Sequence, residues 1–172
     1  MTAAIAHPCR QTPPAQTPSV RIRAVRPSDR SALIQMHDRC SADSRLARWL
    51  GHRTEIPKLY LDDVVAGSPD HIAVIAAIHE QPTESVGMAS AALTPDQQRD
   101  IGVLVEDRYQ SLGIGTMLLD ALVRNIDAQQ SLCADALHKN RHLLAKLNRF
   151  GTVEMTLEYG IIHACVTREL RM

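Results

Sequence analysis

Val103-Leu104-Val105-Glu106-Asp107-Arg108-Tyr109 runs into Gln110-Ser111-Leu112-Gly113-Ile114-Gly115, and an apolar helical pattern from Thr116 to Arg124 begins at once. An apolar strand, a Gly-x-Gly turn and a helix N-terminus in succession can bind an anion. Glycine adopts positive φ at no steric cost and lets backbone approach a ligand closely. The first amides of a helix lack internal partners, and the helix dipole favours negative charge beside them. The chemistry expected of this stretch is the binding of a phosphate-bearing cofactor.

Two common phosphate loops are excluded by residue type. The dinucleotide fingerprint needs a third glycine, and Leu118 stands in its place. A nucleoside-triphosphate loop needs Gly-Lys-Ser/Thr, which the chain lacks. What remains is Gln-x-x-Gly-x-Gly, filled by Gln110, Gly113 and Gly115. This resembles the pyrophosphate loop of the Gcn5-related N-acetyltransferase (GNAT) family. Val105 five residues before Gln110, the run Leu118-Leu119 with Leu122, and Asn140-Arg141 followed by Phe150-Gly151 are similar to the family as well. The resemblance spans residues 20–170 and is strongest over 100–151.

The resemblance implies acetyl-CoA as acyl donor and a fold with a cofactor cleft between splayed strands. By position, Val103, Leu104 and Val105 would pair with the pantetheine arm. The amides of Ser111, Leu112, Gly113, Ile114 and Gly115, with Gln110 and Thr116 beside them, would hold the pyrophosphate. Asn140 would contact the pantetheine and could also cap the helix it opens. The acceptor would be a primary amine, with pKa ~10.4 and hence in need of a base. In the family's protein-lysine branch fused to cyclic-nucleotide-binding domains, a Glu lies ten residues before the loop's Gln. Asp100 occupies that spacing, one methylene shorter, and is the expected catalytic base. Many members carry a Tyr acid seven residues after the Asn, but here that position is Leu147. A non-catalytic acyl-CoA-binding or regulatory module is therefore the alternative reading.

These residues need a frame. The order of patterns suggests an α/β (α+β) domain over 20–172, with a mixed central sheet of about seven strands and helices on both faces. Residues 20–25 alternate, residues 72–78 form a continuous apolar run, and residues 85–93 follow after a tight turn, as in an antiparallel pair. The strand 99–105 leads into the loop, and strands are expected at 131–137, 152–157 and 161–170. Helices are expected after Asp29, in a broken region over 47–65, at 115–128 and at 139–150. Residues 1–19, with Pro8, Pro13, Pro14 and Pro18, read as a disordered tail.

Composition bounds the rest. The chain has 172 residues, 45% hydrophobic and 22% charged, which suits one domain with its own core. Lys plus Arg equals Asp plus Glu at 19 each, so no net field steers it to nucleic acid or an anionic membrane. Cys133 and Cys165 lie in apolar strands and read as reduced core residues, which suggests a cytoplasmic setting. Homodimerisation is left open. No His or Cys spacing indicates a metal site, and His138 and His142 straddle two elements.

Other polar groups compete for roles. Glu106 and Asp107 are expected to face solvent, because carboxylates pointing inward would repel a pyrophosphate. Glu154 and Glu158 fall on one face of a strand and could edge the acceptor cleft. Tyr109 and Tyr159 read as packed phenols. Ser41-Ala42-Asp43-Ser44-Arg45 resembles a Ser-Pro-Glu-Ser-Arg segment over the acceptor end of the cleft in the protein-lysine branch. Asp43, Arg45 and Arg48 could bind a charged substrate there, with Trp49 as a wall. With few aromatics in the chain, an aromatic cage is not expected. The acceptor is a protein lysine or a small-molecule amine.

Overall fold

A computed structural model describes residues 19–168. One seven-stranded sheet organises them in the order β1-β2-β3-β4-β5-β7-β6. Its strands are β1 Val20–Ala24, β2 His71–Ile78, β3 Ser85–Leu93, β4 Arg99–Val105, β5 Leu132–Leu137, β6 Thr152–Glu158 and β7 Ile161–Thr167. The helices are α1 Arg30–Arg39, α2 Ala42–Trp49, α3 Lys58–Ala66, α4 Ile114–Val123 and α5 Arg141–Leu147. The expected tail lies outside the described residues apart from Ser19, whose carbonyl accepts the His79 amide at 2.8 Å.

Every neighbouring pair is antiparallel except β4 and β5. That pair runs parallel and stops almost as soon as it starts, with Arg99 opposite Leu132 and Asp100 opposite Cys133. On its other edge β4 stays in register with β3 from Leu93–Arg99 to Gly87–Val105. A gap therefore opens between β4 and β5 beyond Asp100. Parallel strands require a crossover, and α4 supplies it.

Alternation along the strands builds a core on each face. On one, Ala89, Ala91 and Ile101 meet Leu118, Leu119 and Leu122 of α4 and Leu144 and Leu147 of α5. On the other, Ile75, Met88 and Leu104 meet Leu33 and Met36 of α1 and Leu61 and Val64 of α3. This explains the unbroken apolar run of β2, which is covered on both faces. Helices α4 and α5 are shorter than the sequence pattern suggests. The helix pattern after Ile126 yields to a turn in which the Gln129 amide bonds the Asp127 carboxylate at 2.9 Å.

One expectation is overturned in this frame. Cys133 and Cys165 are not separate thiols. They stand opposite each other on β5 and β7 and are joined by a disulfide. Their separation of 32 residues hides in sequence a pairing that the antiparallel register makes direct. Among the described residues the remaining free cysteine is Cys40, buried against α1, where burial pushes its thiol up to about 12. No helix among the described residues is long and apolar enough to cross a membrane.

Candidate active site

A cleft of about 970 Å³ opens at the gap between β4 and β5. Main-chain groups alternate in direction along a strand, and two hydrogen bonds fix which way those of β4 point. Arg99 donates its amide to Ser131 on the β5 side at 2.9 Å, and Glu106 donates to Val86 on the β3 side at 2.9 Å. The groups of Ile101, Val103 and Val105 therefore face the gap, and those of Gly102 and Leu104 face β3. Gln110 takes up the Val105 carbonyl through Nε2 at 3.0 Å and reaches Ser44 Oγ at 2.9 Å. Val103 is left presenting an amide and a carbonyl across open space.

The strand then feeds the loop. Gly113 is the N-cap of α4 at φ 84, a conformation that favours glycine, and a Cβ there would meet no protein atom within 4 Å. Its carbonyl accepts the amides of Thr116 and Met117 at 3.0 and 3.1 Å. Among the described residues the amides of Ser111, Leu112, Gly113, Ile114 and Gly115 donate to no protein acceptor. Buried or ligand-facing amides seek partners, so this row of donors at a helix N-terminus suits an anion. The Leu112 side chain points outward and that of Ile114 is buried in the core, so both offer the site only main chain. Asn140 sits at the N-cap position of α5 and lines the cleft, but its side chain makes no capping bond.

The opposite face of β4 is built from side chains. Asp100 and Gly102 look toward α2. The Arg48 guanidinium lies on Gly102, where a Cβ would collide with its Cζ. That guanidinium packs 4.3 Å from the Trp49 ring centroid and 5.2 Å from that of Tyr60. Its Nη2 donates to Tyr60 Oη at 3.0 Å and to Ser90 Oγ at 3.4 Å. Tyr60 stacks edge-on against Trp49 at 4.9 Å and against His71 at 5.1 Å. Trp49 Nε1 donates to His37 Nε2 at 3.1 Å, which makes that nitrogen the unprotonated one. Burial holds both His37 and His71 below the usual imidazole range.

Asp100 opens onto the cleft and is solvent-reachable, yet protein crowds it at short range. Burial raises its carboxyl above the usual value, the Arg48 charge opposes the rise, and Asp135 adds to it. A carboxylate shifted upward accepts protons more readily, as a general base must. Asp135 lies along the same face of β5 and bonds His163 Nδ1 at 2.6 Å.

Two carboxylates expected to face solvent do other work. Glu106 is 3% exposed and lies between Arg39 and Arg108, with Arg39 Nε 2.8 Å away. Two guanidiniums offset its desolvation, and the local run Glu106-Asp107-Arg108 does not reveal the one from Arg39. Asp107 is exposed but occupied. It accepts the Ser41 amide at 2.7 Å, the Ser41 hydroxyl at 2.6 Å and the Ser44 hydroxyl at 2.8 Å. Burial pushes its carboxyl up, but the bonds from Ser41 and Ser44 outweigh this and hold it below the usual range. Ser41 also caps α2 through the Ser44 amide at 3.1 Å. The loop and the start of α2 are thereby joined.

The structure brings Asp100, Val103, Leu104, Val105, Gln110, Ser111, Gly113, Gly115, Thr116 and Asn140 to one cleft, with Asp43, Arg48, Trp49 and Tyr109. Glu154 and Glu158 do not line it; they lie on the edge strand β6. Tyr159 is not packed but fully exposed at the β6–β7 turn. Leu147 is buried in the core at 0% exposure, so no phenol replaces the missing Tyr there. Sequence reasoning missed Tyr60, His71, Ser90 and Asp135. Only Asp135 carried a signal, a charge inside the apolar run Ala134-Asp135-Ala136. The aromatic cluster was unexpected too, since it gathers Trp49 and Tyr60 from separate helices. Among the described residues no group of His, Cys, Asp or Glu is placed to hold a metal.

No model of a known protein family matches the chain. Its structure, however, is similar to solved ones. The GNAT domain of S. lividans PAT shares 17% identity at a TM-score of 0.69, over 85% of this chain and 89% of that one. The structure of yncA from Salmonella typhimurium with its cofactor acetyl-CoA shares 15% at 0.63, over 89% and 96%. An acetyltransferase from Thermus thermophilus shares 18% at 0.62, over 87% and 97%. The single α+β domain with its seven-stranded mixed sheet has the GNAT fold.

Proposed function

We propose that the protein is an acetyl-CoA-dependent N-acetyltransferase that moves an acetyl group to a primary amine by direct attack. One observation carries this reading. Past Asp100, β4 loses its β5 partner and runs into a helix whose leading amides, Ser111 to Gly115, have no protein acceptor among the described residues. A linear ligand with amides at one end and phosphates at the other satisfies both. The structures it resembles, one of them with acetyl-CoA, support the same donor.

In this reading Val103 receives the pantetheine arm, and the loop amides receive the pyrophosphate. Gln110 is a positioning residue, because its Nε2 is engaged by Val105 and Ser44. Asp100 takes a proton from the incoming ammonium. The free amine forms the new C–N bond to the acetyl carbon as the C–S bond breaks. The acylated nitrogen gives its remaining surplus proton to the leaving thiolate, directly or through water, and Asp100 releases the proton it took to solvent. Backbone amides facing the gap stabilise charge on the carbonyl oxygen.

The test is a calorimetric titration with acetyl-CoA, with ATP and NAD as controls, followed by assay of free CoA thiol with an amine panel. Selective acetyl-CoA binding with amine-dependent thiol release is the expected result. Equal binding of ATP or NAD would make the loop a generic phosphate site and end this reading. The second reading, a non-catalytic acyl-CoA-binding module, is favoured by the buried Leu147 where many relatives have a Tyr acid. Binding without thiol release on any amine would select it.

A further inference from the structure

Resting on the acetyltransferase reading, we propose that the acceptor is a free amino acid, whose own carboxylate is gripped by Arg48 while its ammonium faces Asp100 and Asp135.

Arg48 is charged, fixed and unsatisfied. Among the described residues no carboxylate lies within ion-pairing distance of it. Its protein bonds both leave from Nη2 and go to neutral hydroxyls, Tyr60 Oη and Ser90 Oγ. Nε is sheltered and has no acceptor. A guanidinium carries five donors in a planar fork that matches a carboxylate edge to edge. Its Cζ sits over the Trp49 and Tyr60 rings, and Tyr60 Oη takes a bond from Nη2, so its position is set before anything binds. Gly102 removes the side chain that would have displaced it. Asp100 is near enough to feel the Arg48 charge, but no carboxylate among the described residues is paired with it, so a partly buried guanidinium held this way suits a ligand that brings its own carboxylate.

The neighbours specify the other end of that ligand. Asp100 is two residues from Gly102 on the same face of β4, about 6–7 Å along the strand. Asp135 lies across the gap on the same face, and both carboxylates line the cleft with Arg48. A cation beside Asp100, with Asp135 and its His163 partner across the gap, complements a zwitterion whose carboxylate and ammonium are a carbon or two apart. A lysine side chain within a protein does not fit, since the carboxyl of that residue is in a peptide bond.

The test compares matched acceptors on the full chain. Free amino acids, their carboxamides and lysine-containing peptides are assayed by thiol release. Carboxamides keep the amine and lose the anion. Wild type should prefer the acids by about 10- to 100-fold in kcat/KM, the range of a charged hydrogen-bonded contact. R48M should collapse that preference mainly through KM, and R48K, which keeps charge without the fork, should fall between. Trp49, the one tryptophan of the chain, gives a readout without turnover. Its fluorescence should saturate with an amino acid and not with the carboxamide. Equal use of acids and carboxamides, preference for peptides, or an equal loss of kcat for both in R48M would overturn the proposal. Fluorescence saturation by amino acids without thiol release would uphold the Arg48 site while removing the acetyltransferase reading. Absence of both signals with acetyl-CoA bound would overturn the amino-acid proposal alone.

Discussion

In the proposed reading the two flanks of β4 do opposite jobs with opposite materials. The donor flank, from Val103 through the N-terminus of α4, is one continuous piece of chain. It works mainly through main-chain amides and carbonyls, while Leu104 and Ile114 anchor it in the core. The acceptor flank is assembled from Arg48 and Trp49 of α2, Tyr60 of α3, His71 of β2, Ser90 of β3 and Asp135 of β5. It works through side chains alone. A backbone site recognises a constant ligand and tolerates sequence change, provided the glycine conformation survives. A side-chain site can be re-specified one residue at a time. The contrast explains how the fold can hold one donor while the acceptor is chosen by residues the fold does not dictate.

The largest effect should come from breaking the donor flank at its one obligatory glycine. Gly113→Val places a β-branched residue at φ 84 and puts atoms where the phosphates would lie. We expect acetyl-CoA affinity to fall by at least about 100-fold, equivalent to some 2.7 kcal/mol. Trp49 fluorescence should still respond to acceptor. Undiminished calorimetric affinity would show that the loop does not carry the cofactor. Loss of the Trp49 response as well would show that the flanks are not separate.

Asp100→Asn is the matching cut on the acceptor side. Turnover should drop by about 100-fold or more with acetyl-CoA affinity kept within about twofold, as for loss of a general base. The pH profile gives a second readout. The Asp100 carboxyl is raised by burial, so wild-type kcat/KM should climb through a pKa above the usual carboxylate value as the base ionises. That limb should vanish in Asp100→Asn. It should move to higher pH in Arg48→Met, because the Arg48 charge is what holds the carboxyl down. A limb that stays put in both variants would assign the base elsewhere.

The same contrast decides what the sequence revealed. Gln110 and Gly113 were legible because residue type and spacing within one segment imply a turn and a helix start, while Asp100 and Asn140 came only by position from the family resemblance. The sheet was legible through the apolar run of β2 and the alternation of its neighbours. The Arg48–Tyr60–Ser90 contact was not, because residues 12 and 42 apart meet only after α2, α3 and β3 pack. Glu106 misled for the same reason, since its partner Arg39 is 67 residues away. The Cys133–Cys165 bond is a consequence of β5–β7 register, which no local pattern states. Alkylation should label neither thiol until reductant is added, and labelling of both beforehand would restore the reduced reading.

A smaller effect should come from the tie between the flanks. Asp107→Ala removes the acceptor of three bonds from Ser41 and Ser44 at the start of α2. The expected loss is about 1 kcal/mol of stability, the scale of a helix cap. Because Asp107 titrates below its usual range, its contribution is present above the unfolded carboxylate pKa and lost as pH falls from there through the lower folded value. The more telling readout is functional. A loosened α2 should raise acceptor KM more than it weakens acetyl-CoA, because Arg48 and Trp49 ride on that helix. An acetyl-CoA defect larger than the acceptor defect would reverse the assignment of Asp107.

The smallest effect separates the flanks by pH alone. His37 and His71 are buried neutral imidazoles behind the acceptor flank, and burial depresses both. His37 accepts the Trp49 indole proton at 3.1 Å, a bond only the unprotonated nitrogen can make. The facing groups are Asp38, 3.9 Å away and exposed, the Arg45 charge, which opposes protonation, and for His71 the charges of Asp63, Arg48 and Arg99. A depressed histidine supports folding fully above its unfolded pKa of ~6.5 and loses that support as pH falls toward its lower folded value. The unfolding free energy from denaturant titrations should therefore decline between pH ~7.5 and ~5.5, by at most about 1.4 kcal/mol per pH unit for each histidine, and the midpoint with it. His37→Gln keeps an acceptor for Trp49 and removes one titration, so its midpoint should decline less over the same range. An unchanged slope would mean that His37 does not couple protonation to the wall that carries Arg48.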